Sequence, residues 1–230
     1  MSNLESKKVL IVGGSSGIGA ATATAFAGLG AEVTIASRNQ AKLDAVAAGI
    51  SGHVRTAAAV EAFFATAGQF DHVVISAAQT PGGPVRQLKL SDAYAAMNSK
   101  FWRAYRVARV VKIAEGGSLT LVSGFLSVRP SGSSVLQGTI NAALEALARG
   151  LALELSPLRV NTVSPGLIAT PLWSKLDADA RQKMFDSAAT RLRAQRVGQP
   201  EDVANAIVYL AATAYAAGST VLVDGGGAIA

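Results

Sequence analysis

Val9-Leu10-Ile11-Val12-Gly13-Gly14-Ser15-Ser16-Gly17-Ile18-Gly19 is the stretch on which the reading of the whole chain turns. Four apolar residues, three of them β-branched, predict a buried strand. A glycine-rich turn follows at once. Ala20-Ala21-Thr22-Ala23-Thr24-Ala25-Phe26-Ala27 then predicts a helix that ends near Gly28 and Gly30. Strand, glycine turn and helix in this order form an anion-binding device. The first N–H groups of the helix lack partners, its dipole favours negative charge, and glycines let a phosphate touch the backbone.

Strands and helices alternate beyond it. Ala31–Ser37 is a predicted strand, Gln40–Ala48 a helix, Val54 a short strand and Ala57–Thr66 a helix. Asp71–Ser76 is a strand, and a loop rich in Pro and Gly leads to one long helix over Leu90–Ala114. Ser118–Val122 and Leu158–Val163 are strands on either side of a helix over Asn141–Leu155. A helical segment over Pro171–Gln195, a helix from Pro200 and a strand over Thr220–Val223 complete the chain. This alternation predicts an α/β fold: a doubly wound parallel sheet of about seven strands with helices on both faces. No linker, repeat or low-complexity tract interrupts it, so residues 1–230 are read as a single domain.

Composition narrows the function. The 230 residues are 50% apolar and 16% charged, with a formal net charge of +6. Dispersed basic residues without interleaved aromatics argue against a nucleic-acid platform. No cysteine occurs, which excludes disulfides and thiolate chemistry, and two histidines, His53 and His72, exclude a His-rich metal site. Met1–Lys8 is polar, and no apolar run is long enough to span a membrane. A soluble, cytoplasmic protein without membrane, nucleic-acid or metal partners is expected.

In a doubly wound sheet, ligands bind beyond the carboxyl ends of the strands. Gly13, Ser15, Ser16, Gly17, Ile18 and Gly19 fall there, as do Ser37-Arg38, Ser76–Gln79, Ser123-Gly124 and Pro165–Thr170. Arg38 lies 19 residues after Gly19, at the end of the second strand. An acid at that place would accept from the ribose of NAD, whereas a cation pairs with the 2′-phosphate of NADP. Ser37 adds a hydroxyl. The expected cofactor is therefore NADP(H).

With these residues in view, the chain resembles the short-chain dehydrogenase/reductase family, in its small single-domain form. The resemblance runs from Lys8 to Gly227. It rests on Gly13-Gly14-Ser15-Ser16-Gly17-Ile18-Gly19, on Asn98, on Arg159-Val160-Asn161-Thr162-Val163-Ser164-Pro165-Gly166 and on Val223-Asp224-Gly225-Gly226. It implies a Rossmann fold holding an extended nicotinamide nucleotide. The cofactor would meet the glycine turn, Ser37, Arg38, Ala77, Ala78, Asn141, Pro165, Gly166 and Ile168, and Thr170 would contact the carboxamide.

The resemblance breaks at the catalytic set. Family members carry Asn, Ser, Tyr and Lys, with Tyr and Lys four residues apart on one helix face. Here Asn98 remains, but Gln137 stands at the Tyr position and Asn141 at the Lys position. Gly124 stands at the Ser position, with Ser123 beside it. The candidate catalytic residues are thus Asn98, Ser123, Gln137 and Asn141. Gln137 has no proton to give near neutral pH. Three readings stay open: an NADP-dependent reductase of an activated alkene or imine, protonated by water or by Ser133 or Ser134; a cofactor-binding sensor or regulatory subunit without turnover; and a partner subunit in a mixed oligomer.

Phe125, Leu126, Trp102, Leu167, Ile168, Leu172 and Trp173 are candidates for an apolar pocket around an unidentified small substrate, and residues 167–196 for a lid. On the Asn141–Leu155 helix, Ile140, Leu144, Leu147, Leu151 and Leu155 form a core stripe. A second face carries Ala142, Ala143, Ala146, Gly150 and Leu153, with Glu145 and Arg149 placed to pair at its margin. That small-residue face predicts a homodimer or homotetramer, as the resemblance also implies.

Overall fold

A computed structural model describes residues 3–57, 63–64, 66–76 and 79–230. The elements run β1 (Lys8–Val12), α1 (Gly17–Gly28), β2 (Glu32–Ala36), α2 (Gln40–Ala48), β3 (Val54–Ala57) and β4 (Phe70–Ile75). They continue with α3 (Leu90–Met97), α4 (Arg103–Val110), β5 (Ile113–Val122), α5 (Val135–Glu154), β6 (Arg159–Pro165), α6 (Ala178–Ala189), α7 (Pro200–Ala212) and β7 (Thr220–Val223). The seven strands are all parallel, in the order β3-β2-β1-β4-β5-β6-β7. The order reverses between β1 and β4, and the crevice beyond their carboxyl ends is where such a sheet binds ligands.

Alternation along β1 explains the two layers. Val9 and Ile11 pack with Phe26 of α1 and Ile207 of α7 on one face. Leu10 and Val12 pack with Val107 of α4 and Leu144 of α5 on the other. Both faces being covered, β1 reads as a continuous apolar run.

Four expected boundaries shift. The long helix over Leu90–Ala114 is interrupted by a π-helical turn at Asn98–Trp102 and ends at Val110. The β-branched residues from Val110 to Ile113 favour strand, and β5 starts at Ile113 rather than Ser118. Helix α5 starts at Val135, which puts Gln137 and Asn141 on one helix. The segment after Thr170 is a short 3₁₀ turn, Pro171–Lys175, followed by α6, whose N-terminus Asp177 caps by accepting from Ala180 N at 2.8 Å. Of the helix expected over Ala57–Thr66, Ala57 closes β3, and residues 58–62 and 65 lie outside the described residues.

Several conspicuous polar residues are structural. The buried Arg159 guanidinium donates to Leu210 O (2.6 Å), Ala211 O (2.8 Å) and Thr213 O (2.9 Å), satisfying the carboxyl end of α7. Asn161 Nδ2 donates to Ala216 O at 2.7 Å, and its Oδ1 accepts from Ser219 N at 3.0 Å, which fixes the entry to β7.

His72 sits buried in β4 between the ring of Phe26 and Ser118 Oγ, 2.9 Å from its Nδ1. Burial, reinforced by the Arg159 charge, pushes its pKa down to about 4. Below pH 6.5 the unfolded chain takes up a proton that folded His72 refuses until about pH 4. The native state therefore loses stability as pH falls through that window, by about 3 kcal/mol in full. Urea unfolding of His72→Asn across the same window should show a flatter pH dependence than the native protein.

Candidate active site

The glycine turn is shaped by contact as well as by conformation. Gly13 has φ of 101°, and a Cβ on Gly19 would collide with Gly13 O. Thr170 folds over the turn: its Cγ2 lies 3.2 Å from where a Cβ on Gly17 would stand. The structure thus brings the turn and the segment after β6 together at the carboxyl edge. Ser15 Oγ donates to Ser37 Oγ at 3.0 Å, tying the turn to the end of β2.

Arg38, exposed beside Ser37, donates from Nη2 to Gln79 Oε1 at 3.1 Å, and Gln79 N donates to Ser99 Oγ at 2.6 Å. Arg103 lies one helical turn beyond Ser99. Burial, and then the nearby charges of Arg38 and Arg106, lower its pKa. None of these arginines makes an ion pair among the described residues. Cations held together without a carboxylate suit a phosphate. Ile168 is buried, and its carbonyl accepts from Trp173 Nε1 at 2.9 Å, which pins the start of the 3₁₀ turn. Ala77 and Ala78 lie outside the described residues.

The candidate catalytic residues are placed less evenly. Asn98 opens the π turn and is exposed. Gln137 Nε2 donates to Thr80 O (3.1 Å) and Thr80 Oγ1 (3.0 Å), so this amide holds the loop after β4. Ser123 is buried and turns its hydroxyl away to Glu145 Oε1, at 2.8 Å. Glu145 does not pair with Arg149. It lies on the inward face of α5, where Oε1 also accepts from Ser127 Oγ (2.7 Å) and Ser164 Oγ (3.3 Å).

One functional group escaped the sequence reading. Lys100 reaches in from the π turn and donates from Nζ to Ser123 O and to Asn141 Oδ1, both at 2.6 Å. A π turn accommodates one extra residue and recurs at functional sites. Here it carries an ammonium to Asn141.

The family profile described as "Enoyl-(Acyl carrier protein) reductase" matches residues 12–227. The chain is 37% identical to an uncharacterised oxidoreductase of Mycobacterium tuberculosis, over 98% of this chain and 94% of that protein. It is 30% identical to a short-chain dehydrogenase/reductase of an Acremonium species, over 99% and 97%. A crystal structure of a small-chain dehydrogenase in complex with NADPH superposes with a TM-score of 0.83 at 31% identity, covering 98% of this chain and all of that one. The chain belongs to the short-chain dehydrogenase/reductase family.

Within this short-chain dehydrogenase/reductase Gly124, Asn141 and Lys100 form one packing unit. A Cβ on Gly124 would stand 2.7 Å from Asn141 Nδ2, closer than real side chains approach. Gly124 therefore makes room for the Asn141 amide. Lys100 can only donate, which turns Asn141 Oδ1 toward it and Nδ2 toward Gly124. Gly124 has an extended backbone, open to any residue, so the constraint is contact alone. Gly124→Ala should cost about 1–3 kcal/mol through overpacking. Adding Asn141→Ala should recover part of that, giving a coupling of about 1 kcal/mol in a denaturation double-mutant cycle.

Proposed function

We propose that this protein is an NADP(H)-dependent oxidoreductase acting on a small apolar substrate by a route that does not use the family's Tyr/Lys pair. The observation that carries this reading is the set of Ser37, Arg38 and Arg103 at the end of β2, beside the glycine turn. Gly13, Ser15, Ser16, Gly17, Ile18 and Gly19 would cradle the diphosphate on the N-terminus of α1. Ser37 and Arg38 would hold the 2′-phosphate, with Arg103 adding charge. Pro165, Gly166, Ile168 and Thr170 would hold the nicotinamide end, and Asn141 the adjoining ribose. The cofactor, when bound, supplies or accepts hydride. The chain from residue 167 to 196 is the lid over it, with Trp173 at its root and Leu172 61% exposed on its surface.

Native protein should bind NADPH more tightly than NADH in fluorescence titrations, and Arg38→Asp should reverse that order. Equal affinity would remove the reading of Arg38. A second reading, binding without turnover, draws on Gln137, whose amide is occupied by Thr80 and carries no acidic proton. NADPH oxidation against a panel of ketones, imines and activated alkenes separates the two.

The assembly we propose is a homodimer or homotetramer. Ala142, Ala146, Arg149, Gly150 and Leu153 of α5 are exposed, Leu153 at 84%. Tyr94 of α3, Trp102 of the π turn and Tyr105 of α4 are exposed beside them in sequence order along the neighbouring helix, at 63%, 44% and 39%. Small residues on one helix and aromatics on the next suit packing against a two-fold mate. Light scattering at micromolar concentration should report two or four chains, and Ala146→Arg should shift the mass to one chain, because a buried unpaired charge is costly.

A further inference from the structure

We propose that Lys100 is the proton-donating group of this active site, its ammonium giving a proton to the oxygen of a substrate C=O group or the nitrogen of a C=N group as that group is reduced. The inference rests on the oxidoreductase reading above and assigns the acid that reading lacks.

Elimination among the polar groups next to Asn141 and Ser123 supports it first. Gln137 and Asn141 carry amides, which are not acids near neutral pH. The hydroxyls of Ser123, Ser127 and Ser164 all point at Glu145 Oε1. Lys100 Nζ has three N–H donors, of which Ser123 O and Asn141 Oδ1 take two. One donor remains on a side chain that is only partly buried, at the carboxyl end of β5 and beside α5.

Electrostatics then suits the task. Burial lowers the Lys100 pKa to about 8, and the Glu145 charge keeps it from falling further. Glu145 on α5 is the charged group that acts on Lys100; its contacts from β5 and α5, Ser123 O and Asn141 Oδ1, are neutral. Lys100 does not hydrogen-bond Glu145, so the carboxylate holds the ammonium charged without taking its proton. An acid with a pKa near the working pH is both protonated and willing to give the proton up. In the step itself, the Nζ–H bond breaks and an O–H or N–H bond forms on the substrate. Lys100 is left as a neutral amine and regains its proton from water. A Lys100 that only neutralised Glu145 would have no need of a free donor or of a lowered pKa.

The test combines titration, labelling and turnover. Protein carrying lysine labelled with ¹³C at Cε is titrated by NMR, with Lys100→Arg identifying the Lys100 signal. The expected midpoint is about 8, against about 10.4 for ordinary lysines. It should fall further in Glu145→Gln. NADPH at ten times its dissociation constant should slow acetylation of Lys100 about tenfold, as free sites become scarce. Lys100→Arg keeps the charge but cannot release a proton. It should bind NADPH within about threefold of native yet lose on the order of 10²–10⁴ in turnover of the best panel substrate. Normal NADPH binding with a Lys100 midpoint among the ordinary lysines, or full turnover by Lys100→Arg, overturns the proposal alone. Failure of the native protein to bind NADPH overturns the oxidoreductase reading and the proposal with it.

Discussion

A carboxylate buried inside a protein must be answered by hydrogen bonds and by a counter-charge, and Glu145 imposes that requirement on this active site. Three serine hydroxyls meet one of its oxygens: Ser123 from the end of β5, Ser127 from the turn after it, and Ser164 from β6. Helix α5 is thereby locked to two neighbouring strands at the edge where ligands bind. The counter-charge comes from Lys100 on a different element. Removing any one partner would leave the carboxylate short of what water would have given it.

Seen from Glu145, Lys100, Asn141, Gly124 and Ser123 belong to one arrangement. The side chain at 141 is short and neutral, and the cation beside it comes from position 100. The amide at 141 needs the space that a side chain at 124 would fill. The serine that remains, Ser123, faces the carboxylate. Rebuilding the family's pair by Gln137→Tyr with Asn141→Lys would set a second ammonium against Lys100. At 4 Å and an effective dielectric of 20, like charges repel by about 4 kcal/mol. Introducing a Tyr/Lys pair at 137 and 141 would therefore have to remove Lys100 as well.

The fold was legible because its signals are local. Buried parallel strands write themselves as apolar runs such as Val9–Val12, and the glycine turn between such a strand and a helix has few other meanings. Arg38 was legible because its place at the end of β2 follows from counting. Lys100 was not, because a π turn leaves no periodic trace: Leu90–Val110 reads as one helix whether or not the ladder slips at Asn98. Glu145 was misread as a surface partner of Arg149, although its spacing from Asn141, Leu144 and Ala148 puts it on the inward face. An inward carboxylate whose own helix offers only the outward-facing, exposed Arg149 as a cation was the signal that another element had to supply one.

The π turn also joins the two halves of the site. Its second residue, Ser99, accepts from Gln79 N, and Gln79 in turn accepts from Arg38 at the end of β2. Its third residue, Lys100, engages Ser123 and Asn141 at the ends of β5 and α5. Adjacent residues on one widened turn thus connect to Arg38 on one side and to Ser123 and Asn141 on the other. A regular α-helix turns about 100° per residue, and widening the turn changes that angle. The π turn therefore sets the angle at which Ser99 and Lys100 leave the helix toward their separate partners. Straightening this turn would disturb the Ser99–Gln79–Arg38 chain and the position of the Lys100 ammonium together, which makes the irregular helix, rather than any single side chain, the element that holds these groups in register.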